Sequence, residues 1–338
     1  MIDKTKVAVV LLAYADFEAL EISLAAISKT IHEGFTLYIL QNGRNTYDCE
    51  RTYRVAKRYE GLYPANIRVV DWIQPGYAYN SIKTLLDGPV MKNFDYICKI
   101  DDDVFPLRND WLDKLITCYE KSQEKYGDNL GYVTGLINNN PWGFKETLEV
   151  CGLEKEYVKN IGRLHVAGSE HDISEPEIFL GKDEIYTGCC GTIWRNPYIS
   201  RWLHEKTSLQ PQKFISKTKN LGYKEVDETK RYSINVIFFK KELWNDIDIG
   251  FSDDEHMFRE YCKNNNKKIV ADLSDPFVHL CFFTQREENR DLMPKFREVY
   301  GKWLKLPFPI SICPDKEYEN ENRLRFLECK IDMLAMKR

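Results

Sequence analysis

The chain has 338 residues, with 48 Lys and Arg against 52 Asp and Glu and a formal charge of −4. A content of 43% hydrophobic and 13% aromatic residues supplies a buried core and excludes a disordered chain. Near-neutral charge excludes the basic face needed to grip a nucleic-acid backbone. No run of about 18 apolar residues occurs, so no membrane-spanning helix is expected. The opening MIDKTKVAVVLLAYADFEAL does not read as a signal peptide: its apolar run stops at Tyr14, acids follow, and no small-residue cleavage site appears. The ten cysteines include no C-x-x-C pair, so zinc-type spacing is absent. They are expected to be reduced and packed, and a cytoplasmic location is expected.

Residues 7–13 form a continuous apolar run, suited to a strand buried on both faces. Asp16 can cap a following helix in which Phe17, Leu20, Leu24 and Ile27 recur at helical spacing. Residues 35–40 predict a second strand closed by Asn42-Gly43, and 67–73 a third, after which Pro75-Gly76 turns the chain into a helix over 80–86. A fourth strand, 96–100, ends at three consecutive aspartates. Trp111, Leu112, Leu115, Ile116 and Tyr119 then mark another helix. Strands alternating with helices predict an α/β fold: a mostly parallel sheet flanked by helices, with ligands at the carboxyl ends of its strands.

Further on, 130–137 reads as a strand and 140–185 carries only weak periodicity. Strands are expected at 187–194, 234–239 and 268–271, and helices at 254–264, 285–304 and 316–336. One main domain over 1–284 is expected, with a first half at about 1–115 and a long inserted or appended region completing it at about 130–284. A helical extension, 285–338, would follow.

The strongest chemical signal is Asp101-Asp102-Asp103. Adjacent carboxylates at the end of a buried strand repel one another and lose hydration. Residues at i and i+2 can converge there as oxygen ligands for a hard divalent cation, with phosphate oxygens filling the remaining positions. A solvated acidic turn capping the next helix is the plainer alternative, and placement after the fourth strand favours the ligand site. The second signal is Asp253-Asp254-Glu255, which could simply cap a helix or hold a base that takes a proton from an attacking hydroxyl. The third is His279 after Pro276-Phe277-Val278, either a hydrogen-bonded core histidine or a ligand.

In this order the three signals resemble the GT-A glycosyltransferases, particularly the inverting family that includes many bacterial polysaccharide-building enzymes. Leu11-Leu12-Ala13-Tyr14-Ala15 matches the end of that family's first strand at Tyr14, with Leu12 and Ala15 in place of its usual Pro and Asn. Gln41, before Asn42-Gly43, stands where the family places a base-reading Asp. The segment 76–80, ending at Asn80, is similar to the glycine-to-asparagine stretch before the next helix. The aspartates match the family's D-x-D motif, and 240–269 its run from an aromatic-basic cluster through acids to a lysine-rich strand.

The resemblance implies a nucleotide-sugar donor, expected to be a UDP-sugar, contacted by Ala13, Tyr14, Gln41, Asn42, Asn80, Asp101 and Asp102. It implies Mn²⁺ or Mg²⁺ held by Asp101, Asp103 and His279. It also implies a base among Asp253, Asp254 and Glu255, with Asp254 preferred, and inversion at the anomeric carbon. The acceptor would be a carbohydrate or a lipid-linked glycan at the inner membrane face. Gly188 and Gly191 would let it approach the backbone closely, and Trp142, Trp194 or Trp244 could stack on a sugar ring, a place in the core being the plainer alternative for each. Two rivals stand beside it: a nucleotidyl- or phosphoryl-transfer enzyme, although no phosphate-cradling glycine motif occurs, and a non-catalytic sugar-binding module.

Overall fold

The computed structural model describes residues 2–14, 16–31, 34–42, 47–72, 78–139, 141–160, 165–166, 178–179, 197–226, 234–247, 254–280 and 289–305. Strands β1 (Val7–Ala13), β2 (Thr36–Asn42), β3 (Ile67–Trp72) and β4 (Tyr96–Asp101) alternate with helices α1 (Phe17–Ser28), α2 (Tyr47–Leu62) and α3 (Ala78–Asp87). β5 (Val104–Pro106), α4 (Trp111–Tyr126), β6 (Leu130–Ile137), α5 (Pro141–Cys151) and α6 (Glu154–Asn160) follow. After the short strands β7 (His165–Val166) and β8 (Ile178–Phe179) come α7 (Pro197–Lys206), α8 (Pro211–Thr218), β9 (Tyr223–Glu225) and β10 (Val236–Lys240). α9 (Glu242–Asp246), α10 (Asp254–Asn264), β11 (Lys268–His279) and α11 (Met293–Leu304) complete the described elements.

One nine-stranded sheet runs β3-β2-β1-β4-β10-β6-β11-β5, with β9 beside β11. β1 to β4 pair in parallel, as do β6 and β11, while β10 lies antiparallel between β4 and β6. This is the α/β architecture expected from the alternating pattern. Side chains alternate across a strand, so β1 feeds two cores. Val7, Val9 and Leu11 pack on the face covered by α1 and α4. Ala8 and Val10 join the opposite core with Phe239, Trp244 and Phe258. Trp244 is therefore core, stacked on Phe239. Asp16 caps α1, accepting the Ala19 N–H at 3.2 Å.

β11 departs most from expectation. The lysine-rich strand does not stop at Ala271 but continues through Pro276 to His279, with a register shift between Asp272 and Pro276. A bulge there accommodates a proline that would break a regular ladder. Beyond it, β11 pairs with β5, His279 lying opposite Val104. The strand thus begins beside β6 and ends next to the aspartates.

α2 and the helices from α5 to α8 were not expected. The first is polar on most of its surface, and the others occupy or follow the stretch of weak periodicity. The expected strand 187–194, the helix 316–336, Gly188, Gly191 and Trp194 lie outside the described residues. Among those described, Cys49, Cys98, Cys118 and Cys262 are buried free thiols and Cys151 is a partly buried one.

Candidate active site at the carboxyl ends of the strands

The three aspartates do three different things. Asp101 has both carboxylate oxygens engaged: Lys99 Nζ lies 2.6 Å from Oδ1, and Asn235 Nδ2 donates to Oδ2 at 3.1 Å. Asp102 accepts the backbone N–H of Tyr14 at 3.0 Å, tying the loop after β1 to the end of β4. Asp103 is buried, and its Oδ2 lies 3.0 Å from His279 Nε2. The expected trio of Asp101, Asp103 and His279 is thus brought together only as the pair Asp103–His279.

Backbone contacts fix that pair. Leu280 N–H donates to the Asp103 carbonyl at 2.9 Å. Two buried asparagines just past β6 bracket His279: its N–H donates to Asn138 Oδ1 at 3.0 Å, and Asn139 Nδ2 donates to its carbonyl at 2.9 Å. Asn138 Nδ2 in turn donates to Ser208 Oγ at 2.8 Å and Thr207 Oγ1 at 3.2 Å, between α7 and α8. Beneath lies His204, with Nδ1 3.0 Å from Ser208 Oγ and its ring edge-on to Phe296 of α11. Burial, reinforced by nearby His279, holds His204 down to about 3, so it is neutral at physiological pH. The sequence reading missed Asn138, Asn139 and His204; the run Asn138-Asn139-Asn140 closing an apolar strand was the available signal.

The donor set fits a divalent cation shared with a substrate. Two ligands at right angles, each about 2.1 Å from an ion, lie about 3 Å apart, which is the Asp103–His279 spacing. Among the described residues no three His, Cys, Asp or Glu side chains form a group that could hold a metal alone. A two-ligand site leaves coordination positions for phosphate oxygens, the usual arrangement where Mg²⁺ or Mn²⁺ rides on a nucleotide.

Of the residues expected to contact a nucleotide, Gln41 is fully buried at the end of β2, with Nε2 3.4 Å from the Cys49 carbonyl and 3.5 Å from that of Tyr14. Asn42 Oδ1 accepts from Ser81 Oγ at 3.0 Å. Ala13 ends β1, Tyr14 is 47% exposed beyond it, and Asn80 lies in the first turn of α3. Asp254 and Glu255 begin α10, while Asp253 and Trp194 lie outside the described residues. The carboxyl end of α10 abuts the start of β6, where Gly131 faces the Cys262 sulfur. A surface cleft of about 390 Å³ is lined by Tyr96, Tyr119, Lys240 and Lys267 and contains none of the candidate residues.

The parallel block β3-β2-β1-β4, continued by β10, β6 and β11 and flanked by helices, is the mostly parallel α/β sheet expected from the sequence. No protein-family model matches the sequence, and no curated protein matches it. Solved structures similar to this chain include a mannosyltransferase from Pyrobaculum calidifontis in complex with GDP-Man and Mn²⁺, at 12% identity over 90% of this chain and 65% of that one, TM-score 0.46. A glucosyl-3-phosphoglycerate synthase from Mycobacterium tuberculosis in complex with Mg²⁺ and UDP is 11% identical over 90% of this chain and 80% of that one, TM-score 0.37. A 4-diphosphocytidyl-2C-methyl-D-erythritol synthase from Anaerococcus prevotii is 12% identical over 87% and 98%, TM-score 0.43. Likeness at this level assigns neither a family nor an activity. Among the described residues no helix is long and apolar enough to cross a membrane.

Proposed function

We propose that the protein transfers a glycosyl group from a nucleotide-sugar donor to an acceptor hydroxyl, with a divalent cation on the donor diphosphate and inversion at the anomeric carbon. The observation that carries this reading is the buried Asp103–His279 pair, 3.0 Å apart, at the carboxyl end of a largely parallel sheet. In this reading Asp103 and His279 would hold Mn²⁺ or Mg²⁺, which when bound neutralises charge developing on the departing diphosphate. Asp102 fixes the Tyr14 loop against which the nucleotide lies. Gln41 and Asn42 line the base and ribose side. Asp254 takes the proton from the acceptor hydroxyl on the far side of the anomeric carbon, with Glu255 and Asp253 as its neighbours in the cluster. The acceptor is a carbohydrate or a lipid-linked glycan.

A thermal-shift screen of UDP, GDP, CDP and their sugar conjugates, with and without Mn²⁺, tests this reading. The expected result is a rise in melting temperature that requires both nucleotide and metal, followed by release of the nucleoside diphosphate when an acceptor is supplied. Stabilisation by CTP with release of pyrophosphate would instead make the protein a nucleotidyltransferase.

A further inference from the structure

Lys99 is an ammonium group inside the sheet. Its side chain is 4% exposed, on the β4 face that carries Ile97 into the core of Ala8, Val10, Phe239 and Phe258. Burying a charge there is costly unless it is paired and hydrogen-bonded. Both conditions are met, since Nζ lies 2.6 Å from Asp101 Oδ1 and donates to the Ile234 carbonyl at 2.8 Å. The two-residue period of a strand sets Lys99 and Asp101 on one face. Asp101 is committed further: its backbone N–H donates to the Asn235 carbonyl at 3.0 Å, and its Oδ2 accepts from the Asn235 side chain. Ile234 and Asn235 are the residues by which the chain enters β10, the antiparallel strand joining the two halves of the sheet.

We propose that Lys99 is a built-in countercharge that withdraws Asp101 from the cation site, making Asp101 a strut between β4 and β10 and leaving Asp103 to meet the metal. Lys99 and Asp101 are then positioning residues. They also lower the charge that three successive carboxylates would otherwise gather at one strand end. The metal-site half of this inference rests on the reading of Asp103 and His279 given above; the strut does not.

The test uses the full chain as wild type and as Lys99→Met, Lys99→Arg, Asp101→Asn, Lys99→Met/Asp101→Asn and Asp103→Asn. Thermal unfolding is measured for each, as is the gain in UDP and GDP affinity on adding Mn²⁺. Lys99→Met leaves Asp101, whose side chain is 24% exposed and still accepts from Asn235, without its countercharge, and is expected to lower the melting temperature by roughly 2–6 °C. Adding Asp101→Asn should recover more than half of that loss. Asp101→Asn should keep the Mn²⁺-dependent gain within about threefold of wild type, whereas Asp103→Asn should reduce it by about 10-fold or more. Should either single variant fail to fold, the Lys99→Met/Asp101→Asn double variant, which buries no unpaired charge, carries both readouts: it should fold and keep the Mn²⁺-dependent gain within about threefold of wild type. Absence of rescue in the double variant, or an Asp101→Asn loss equal to that of Asp103→Asn, would overturn the proposal. If the wild-type protein shows no metal-dependent nucleotide binding, the glycosyltransferase reading falls, and the strut is judged on the stability coupling.

Discussion

At the end of β4 each carboxylate has found a partner: Asp101 a lysine, Asp102 a backbone N–H, Asp103 a histidine. In the bulge of β11 the outcome is different. Asp272 is held by Ser274 and by Lys114 at 3.4 Å, yet Asp275, fully buried, has no hydrogen-bond partner for either oxygen among the described residues. Burial, with Asp272 close by, raises the Asp275 carboxyl well above the ordinary value, Lys114 and Arg108 opposing weakly. Both clusters are acidic and lie on the same sheet. What separates them is compensation: the carboxylates at the end of β4 each have a cation or a hydrogen-bonding group beside them, whereas burial without a partner disfavours the charged form of Asp275.

The comparison breaks most sharply at Asp103. Asp103→Ala should abolish metal-dependent turnover, a fall of at least about 10³-fold in kcat/KM, with the melting temperature nearly kept; a variant as active as wild type in the presence of a chelator would remove the cation from the account. Asp254→Asn should lower kcat by about 10²–10⁴ with donor affinity unchanged. If Glu255→Gln is the dead variant instead, the base moves one residue along.

The remaining effects are on stability. A Cβ at Gly135 would sit 2.4 Å from the Phe277 ring and 2.5 Å from the Asp275 carbonyl, so Gly135→Ala should cost roughly 1–3 kcal/mol by denaturant titration. Asp275→Asn should have the opposite sign, stabilising the protein at pH 7 because it removes the cost of a buried, partnerless carboxylate. Because the folded state holds this proton to higher pH than the unfolded chain, the wild-type penalty is absent below about pH 4 and grows as pH rises. The advantage of Asp275→Asn should therefore vanish in unfolding curves near pH 4; an advantage independent of pH would mean that the carboxyl is not ionisable in the way its burial dictates. Asp16→Ala, which removes only the cap of α1, should cost about 1 kcal/mol.

Much of the frame was legible because apolar runs and turn residues are local signals. Val7–Ala13, Leu130–Ile137 and the helix Asp254–Asn264 were placed to the residue. The antiparallel course of β10 was not legible, since a short apolar run such as Val236-Ile237-Phe238-Phe239 carries no direction. Nor was the length of β11, because Asp272, Ser274, Asp275 and Pro276 read as a loop until a bulge lets them remain in a strand. The aspartate triplet stood out by composition. Its division of labour did not, because Lys99, Asn235 and Asn138 act through contacts that sequence spacing does not encode.

Those contacts also set when the site comes into being. Asp103 and His279 are separated by 176 residues, and Asp101 and Asn235 by 134. At a synthesis rate of about 5–20 residues per second, roughly 9–35 s pass between the emergence of the aspartate and of its histidine. Through that interval a nascent chain can pair β1 to β4, but the acidic strand end faces water without its distant partners. The site is thus a late product of folding, closed by the most non-local pairings in the sheet, and those are the slowest to form. A ribosome-stalled chain ending before β11 would hold the amino-terminal strands together and still lack the histidine that defines the proposed centre.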